Sequence, residues 1–227
     1  MLRDAGLPDG VLNVVTDDLA DAGDIVSALV ADPRVRLVNF TGSTNVGRII
    51  GIQAAKHLKP AVLELGGKNA LVILKDADVD YAVNAAAFGA FMNSGQICMS
   101  TDRVIVHRAV AGEFIAKYVQ RINQLPYGDP SDPATVVGPV VNARAAQRVS
   151  ALVKDTVAKG ATLLAGTGEI EGEHRALLKP VVLTDATTDM DIYYGEISAP
   201  PPSSTSSTPP TRLSPSPTTP NTALPAA

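Results

Sequence analysis

The chain has 227 residues, 45% of them hydrophobic and 4% aromatic, with 19 Lys and Arg against 23 Asp and Glu for a net charge of −4. This length suits one large or two small globular units, and the mild acidity with no basic stripe argues against nucleic acid or an anionic membrane surface as partner. A single cysteine excludes an internal disulfide, and no run approaches the roughly 20 apolar residues that a bilayer crossing needs. The first residues also lack the apolar core of a signal peptide, so a small-molecule partner and a cytoplasmic location are expected.

In chain order, residues 11–16 are β-branched and apolar and predict a buried strand, followed by helical apolar spacing from Asp21 to Ala31. Arg36 to Phe40 predicts a short strand, and Thr41-Gly-Ser-Thr a tight turn whose hydroxyls cap a helix starting near Asn45. Pro60 to Leu65 predicts another strand, ended by Gly66 and Gly67, and Ala70 to Leu74 one more. This alternation argues for α/β architecture with parallel pairing.

Asp80 to Asn93 is an alanine-rich helix suited to close packing, Arg103 to His107 a strand, and Ala111 to Gln124 an amphipathic helix. A further helix is predicted from Val141 to Gly160, then strands at 161–165 and 180–183. From Ala199 onward the composition changes: nine of the 17 prolines fall in the last 29 residues, with Arg212 the lone charge. Such a segment is expected to be disordered.

Two groups carry chemistry. Cys98 sits in Phe91-Met-Asn-Ser-Gly-Gln-Ile-Cys-Met-Ser-Thr-Asp-Arg103, and Glu64 in Leu63-Glu-Leu-Gly-Gly-Lys68, 34 positions upstream. A thiolate can add to an aldehyde carbonyl, a hydride can leave as the adduct collapses to a thioester, and a carboxylate can activate the water that releases the acid. Read alone, Cys98 could be an inert small hydrophobe and Glu64 a solvent-facing carboxylate at a strand end. The leucines and glycines around Glu64 suggest instead a partly desolvated carboxylate with a raised pKa. His57, His107 and His174 are scattered without ligand spacing, so no metal site is expected, and Lys68 reads as an exposed structural lysine.

Together, Phe40-Thr-Gly-Ser-Thr-Asn-Val-Gly47, Glu64-Leu-Gly-Gly-Lys68 and Gly95-Gln-Ile-Cys98, in this order and spacing, resemble the aldehyde dehydrogenase superfamily from about Ala5 to Glu196. The resemblance implies part of a Rossmann-type cofactor domain over residues 1–65 and part of an α/β catalytic domain over 66–198, followed by the tail 199–227. It makes Cys98 the nucleophile, with its own N–H an oxyanion donor, and Glu64 the general base favouring hydrolysis to a free acid. NAD or NADP would be held by Gly42, Ser43 and Gly47 at its phosphates, by the Leu65 backbone at nicotinamide and by Glu196 at the ribose. The stretch from Gly95 to Arg103 is most similar to the branch acting on aromatic aldehydes such as vanillin, salicylaldehyde or benzaldehyde.

Ser198 stands where the family has a phenylalanine, and the similarity stops there. Family segments expected before Met1, including an oxyanion-binding Pro-Trp-Asn, and after Glu196, including Phe-Gly-Pro and an oligomer strand, are not matched. An incomplete chain with a frameshifted tail and little or no dehydrogenase activity is therefore expected, although the family forms homo-oligomers. Two other classes stay open: a non-catalytic fragment or interaction module that associates with intact subunits, and a thiol redox protein.

Overall fold

A computed structural model describes Leu2, residues 4–18 and 20–195, Ile197 and, as backbone, Ala223–Pro225. The chain divides into two units between Glu64 and Leu65. The first holds α1 (Ala22–Ala31), β1 (Val38–Gly42), α2 (Thr44–Lys56) and β2 (Ala61–Leu65), with β1 and β2 forming a two-stranded sheet. Its buried apolar residues are Val30 of α1 and Ile50 and Ala54 of α2. The two helices are also tied by Gln53, whose amide donates to Ser27 Oγ at 2.9 Å. The strand expected at 11–16 does not form: Val11, Leu12, Val14 and Val15 are each more than half exposed. β-branched composition only permits extension; among the described residues no neighbouring strand supplies the ladder that would hold it.

The second unit contains most of the core. β3 (Ala70–Ile73) and β4 (Arg103–Val106) pair in parallel with Ala70 opposite Arg103, and α3 (Val79–Phe91) lies between them in sequence, as a parallel crossover requires. α4 (Arg108–Asn123) packs on α3 by complementary size. Ala82, Ala86 and Ala90 form a small-residue stripe at four-residue spacing on α3, while Phe114, Tyr118 and Ile122 form a large one on α4, each at most 1% exposed. The Phe114 and Tyr118 rings stack with centroids 5.2 Å apart. Burial in this layer pushes the Tyr118 phenol well above its ordinary pKa.

β4 alternates strictly, with Val104 and Val106 buried beneath these helices. α5 (Ala143–Ala158), capped by Asn142 accepting from Ala145 N at 2.9 Å, packs Val149 and Val153 against Val181, Leu183 and Ile192 in a second cluster. β5 (Thr162–Ala165) pairs antiparallel with β8 (Val182–Thr184). The sequence pattern missed the hairpin of β6 (Ile170–Glu171) and β7 (Leu177–Leu178), the 3₁₀ turn Met92–Gly95 and the short α6 (Asp191–Tyr194), all too brief for a period to show. The tail expected to be disordered lies outside the described residues except for β9 (Ala223–Pro225), whose backbone pairs antiparallel with β4. A proline at the end of an edge strand is compatible with such pairing.

The helix pair generates a stability prediction. Phe114→Ala leaves a void in the core cluster that α3 and α4 share, and should cost about 3–5 kcal/mol. Urea unfolding followed by far-UV circular dichroism measures it; a cost below about 1 kcal/mol would show that α3 and α4 do not form the central layer.

Candidate active site

Cys98 lies in a turn after the 3₁₀ segment, exposed, between α3 and β4. Three features fix this loop. Asn93, Ser94 and Gly95 are consecutive left-handed residues, with φ of 51°, 58° and 74°. A left-handed conformation costs a non-glycine residue roughly 1–2 kcal/mol, so the turn needs outside support. Ser94 Oγ donates to Gly138 O at 2.9 Å, and Gln96 Oε1 accepts from Val141 N at 2.7 Å, which ties the loop to the segment leading into α5. At Gly95 a Cβ would lie 3.1 Å from Ala90 O, so both φ and space favour glycine there.

The second support is Asn69, at the entrance to β3. Its side-chain amide donates to Cys98 O at 2.7 Å and to Ser100 O at 3.1 Å, while its own carbonyl accepts from Asp102 N and Arg103 N, both at 3.1 Å. Sequence reasoning missed this residue. The available signal was a short amide placed between a glycine pair and an apolar strand, where Asn side chains bond nearby backbone. The third support is Gly89, whose carbonyl accepts from Thr101 N at 2.8 Å. A Cβ at Gly89 would stand 2.6 Å from Thr101 Oγ1, so α3 approaches the loop closely only because this position is bare.

Lys68 is not the exposed residue expected from sequence. Its side chain is only 10% exposed and its ammonium lies 4.0 Å from Asp102 Oδ1, itself 10% exposed. The glycine pair before it brings the chain alongside the start of β4, and the long stem is covered there. Arg103 donates to the Tyr193 carbonyl, and its guanidinium stacks 4.1 Å from the Tyr193 ring centre. A cavity of about 70 Å³ behind the loop is lined by Ser94, Gln96, Asp102, Val137, Arg148 and Ile197 among others. Cys98 is not one of its lining residues, so the thiol does not face this cleft.

In the first unit, Ser43 caps α2, its Oγ accepting from Val46 N at 3.4 Å, as the hydroxyl-rich turn predicts. Gly42 is exposed and Ser43 half-buried at this helix start, and the first turn of α2 carries no acidic residue. Gly47 is buried inside α2. The Phe40 ring lies over Gly42, where a Cβ would stand 2.5 Å from it. Glu64 is exposed, not desolvated as its neighbours suggested. β2 alternates, and Leu63 and Leu65 turn to the covered face while Glu64 takes the other. Leu65 opens the second unit, half-buried. Glu196 and Ser198 lie outside the described residues. His107 caps α4 through Nδ1, and no cluster of three His, Cys, Asp or Glu able to hold a metal occurs among the described residues.

An α/β unit that presents one exposed, backbone-braced thiol defines a class of fold and site, and comparison with known proteins narrows it. The aldehyde dehydrogenase family model matches residues 1–201. Over 196 residues the chain is 53% identical to a vanillin dehydrogenase of Pseudomonas fluorescens, covering 86% of this chain and 40% of that protein. It is 39% identical over 200 residues to a benzaldehyde dehydrogenase [NAD(+)] of Pseudomonas putida, with 88% and 39% covered. The crystal structure of a salicylaldehyde dehydrogenase from Pseudomonas putida G7 complexed with salicylaldehyde superposes with a TM-score of 0.82 at 41% identity, covering 87% of this chain and 40% of that one. The chain belongs to the aldehyde dehydrogenase family, and it spans about 40% of the length of the curated relatives it matches.

Because Cys98 is exposed, it should react with iodoacetamide under native conditions at a rate within about tenfold of a small thiol. Mass spectrometry of the intact chain reads the rate. Labelling only after denaturation would place the thiol in the interior and remove it from consideration as a nucleophile.

Proposed function

We propose that the protein oxidises an aldehyde to a carboxylic acid with NAD or NADP, through a thiohemiacetal and then a thioester on Cys98. The observation that carries this reading is an exposed cysteine at a turn braced by Asn69, Ser94 and Gln96, in a chain 53% identical to a vanillin dehydrogenase. The names of the relatives favour an aromatic aldehyde as substrate.

Cys98 Sγ adds to the aldehyde carbon as the carbonyl π bond breaks, and the resulting alkoxide is met by the Cys98 N–H. A nicotinamide bound beside Cys98 would supply the acceptor for the hydride lost from the adduct carbon, which leaves the thioester. Glu64 then takes a proton from water as that water adds to the thioester, and Cys98 leaves as thiolate. Gly42 and Ser43 suit the cofactor phosphates: they lie at a helix start with backbone donors, a favourable dipole and no opposing carboxylate. Leu65 is assigned to the nicotinamide and Glu196 to its ribose. A small-molecule aldehyde is the partner, homo-oligomers are the assembly, and a reducing compartment such as the cytoplasm suits a single reactive thiol.

Spectrophotometric NADH formation from benzaldehyde tests this reading. With the segments that the longer relatives carry restored, Cys98→Ser should abolish it, and Glu64→Gln should slow thioester hydrolysis by about 10²–10⁴ while leaving acylation within a fewfold. Equal slowing of both steps would remove Glu64 from the general-base role. For the 227 residues taken alone little turnover is expected, since Glu64 is exposed and residues 11–16 build no ladder. Turnover in this chain that survives Cys98→Ser would refute the mechanism.

A further inference from the structure

Among the described residues the N–H groups of Cys98 and Met99 have no hydrogen-bond partner, whereas the Cys98 carbonyl is occupied by Asn69. In a trans peptide the C=O and N–H point in opposite directions, so holding the Cys98 carbonyl against Asn69 turns the Met99 N–H away from Asn69. The same carboxamide holds Ser100 O, two residues on, and the Ser100 side chain closes the turn by accepting from Ile97 N at 3.3 Å. Both N–H groups of the Asn69 amide are therefore spent on the loop that bears the thiol. Its backbone carbonyl is spent on the two residues that follow the loop into β4.

The two side-chain bonds from Asn69 to this loop exceed what strand registry needs, since β3 and β4 are already paired from Ala70 and Arg103 onward. We propose that Asn69 is a positioning residue for the nucleophile. It fixes the peptide between Cys98 and Met99 so that its free N–H, and not its carbonyl oxygen, faces the alkoxide formed when the thiol adds to an aldehyde. This rests on the reading of Cys98 as nucleophile. Without the amide the 98–99 peptide can rotate. A carbonyl swung toward the adduct would repel the developing negative charge, and Ser100 O, on a buried residue, would lose its donor.

The role separates two reactions of the same thiol. Addition to an aldehyde needs a stabilised alkoxide, and alkylation by iodoacetamide does not. The experiment uses the 227-residue chain, its Asn69→Asp variant, which keeps the shape and loses both donors, and Asn69→Ser, a milder change without charge. Benzaldehyde is titrated as a reversible protector of Cys98 against iodoacetamide, read by intact-mass spectrometry, and backbone hydrogen exchange of residues 97–101 is followed in parallel. In the variants the benzaldehyde needed for half-protection should rise by about 10- to 100-fold, with the alkylation rate in its absence changed less than about threefold. Exchange at Ser100 and Thr101, whose N–H groups donate to Ile97 O and Gly89 O, should quicken by about tenfold or more as the turn loosens.

Unchanged half-protection in folded variants overturns the proposal. If benzaldehyde fails to protect even the parent chain, the thiol-addition reading falls. The positioning claim is then decided by exchange alone, where equal rates in parent and variants refute it. Asn69→Ser serves should Asn69→Asp fail to fold.

Discussion

The structure around the thiol depends on a junction between two parallel strands. β3 and β4 begin side by side, and the residue before each is bonded across the gap: the Asn69 carbonyl receives the Asp102 and Arg103 N–H groups, and the Asn69 amide reaches back to Cys98 and Ser100. Parallel pairing makes this geometry available, because it sets the two strand entrances at the same end of the sheet and leaves the intervening crossover to form the rest. The Lys68 and Asp102 side chains sit at the same junction, largely covered. Such a pair gains little net stability after desolvation, so its value there is in fixing which way the two entrances face.

The crossover brings its own condition. α3 must approach α4 closely enough to bury Phe114 and Tyr118, and must approach the loop closely enough for Gly89 O to receive Thr101 N. Small residues meet both needs on different parts of one helix: Ala82, Ala86 and Ala90 face the large stripe of α4, while bare Gly89 meets Thr101. This alanine-rich helix thus links the main core to the loop that carries Cys98. The left-handed turn at Asn93 to Gly95 ends that helix sharply, and the bonds from Ser94 and Gln96 to the 138–141 segment hold it there.

Exposure distinguishes the two chemical groups from this scaffold. Cys98 and Glu64 are both exposed, one on a turn and one on the outer face of an alternating strand. The groups that surround Cys98 along the chain are pinned while the thiol is not, a division that suits a nucleophile: rigid backbone, accessible sulfur.

Much of this was legible in the sequence. Helical spacing over Asp21 to Ala31, the alanine run, the glycine stop at 160 and the apolar strands at 70–74, 103–107 and 161–165 each correspond to an element, because burial on one face imposes a period that the residues must follow. The motif order around Ser43, Glu64 and Cys98 marked the family. Composition could not tell whether residues 11–16 would find a ladder, which side of β2 would take Glu64, or that Lys68 would be covered, since each depends on a neighbour remote in the chain. The bonds of Asn69 were likewise invisible: they join positions 29 and 31 residues apart, and no local pattern records which carbonyls a side-chain amide will meet once two strands lie parallel. Period and chemistry were properties of the sequence itself; partner and exposure were decided by the fold, because both are relations between distant segments.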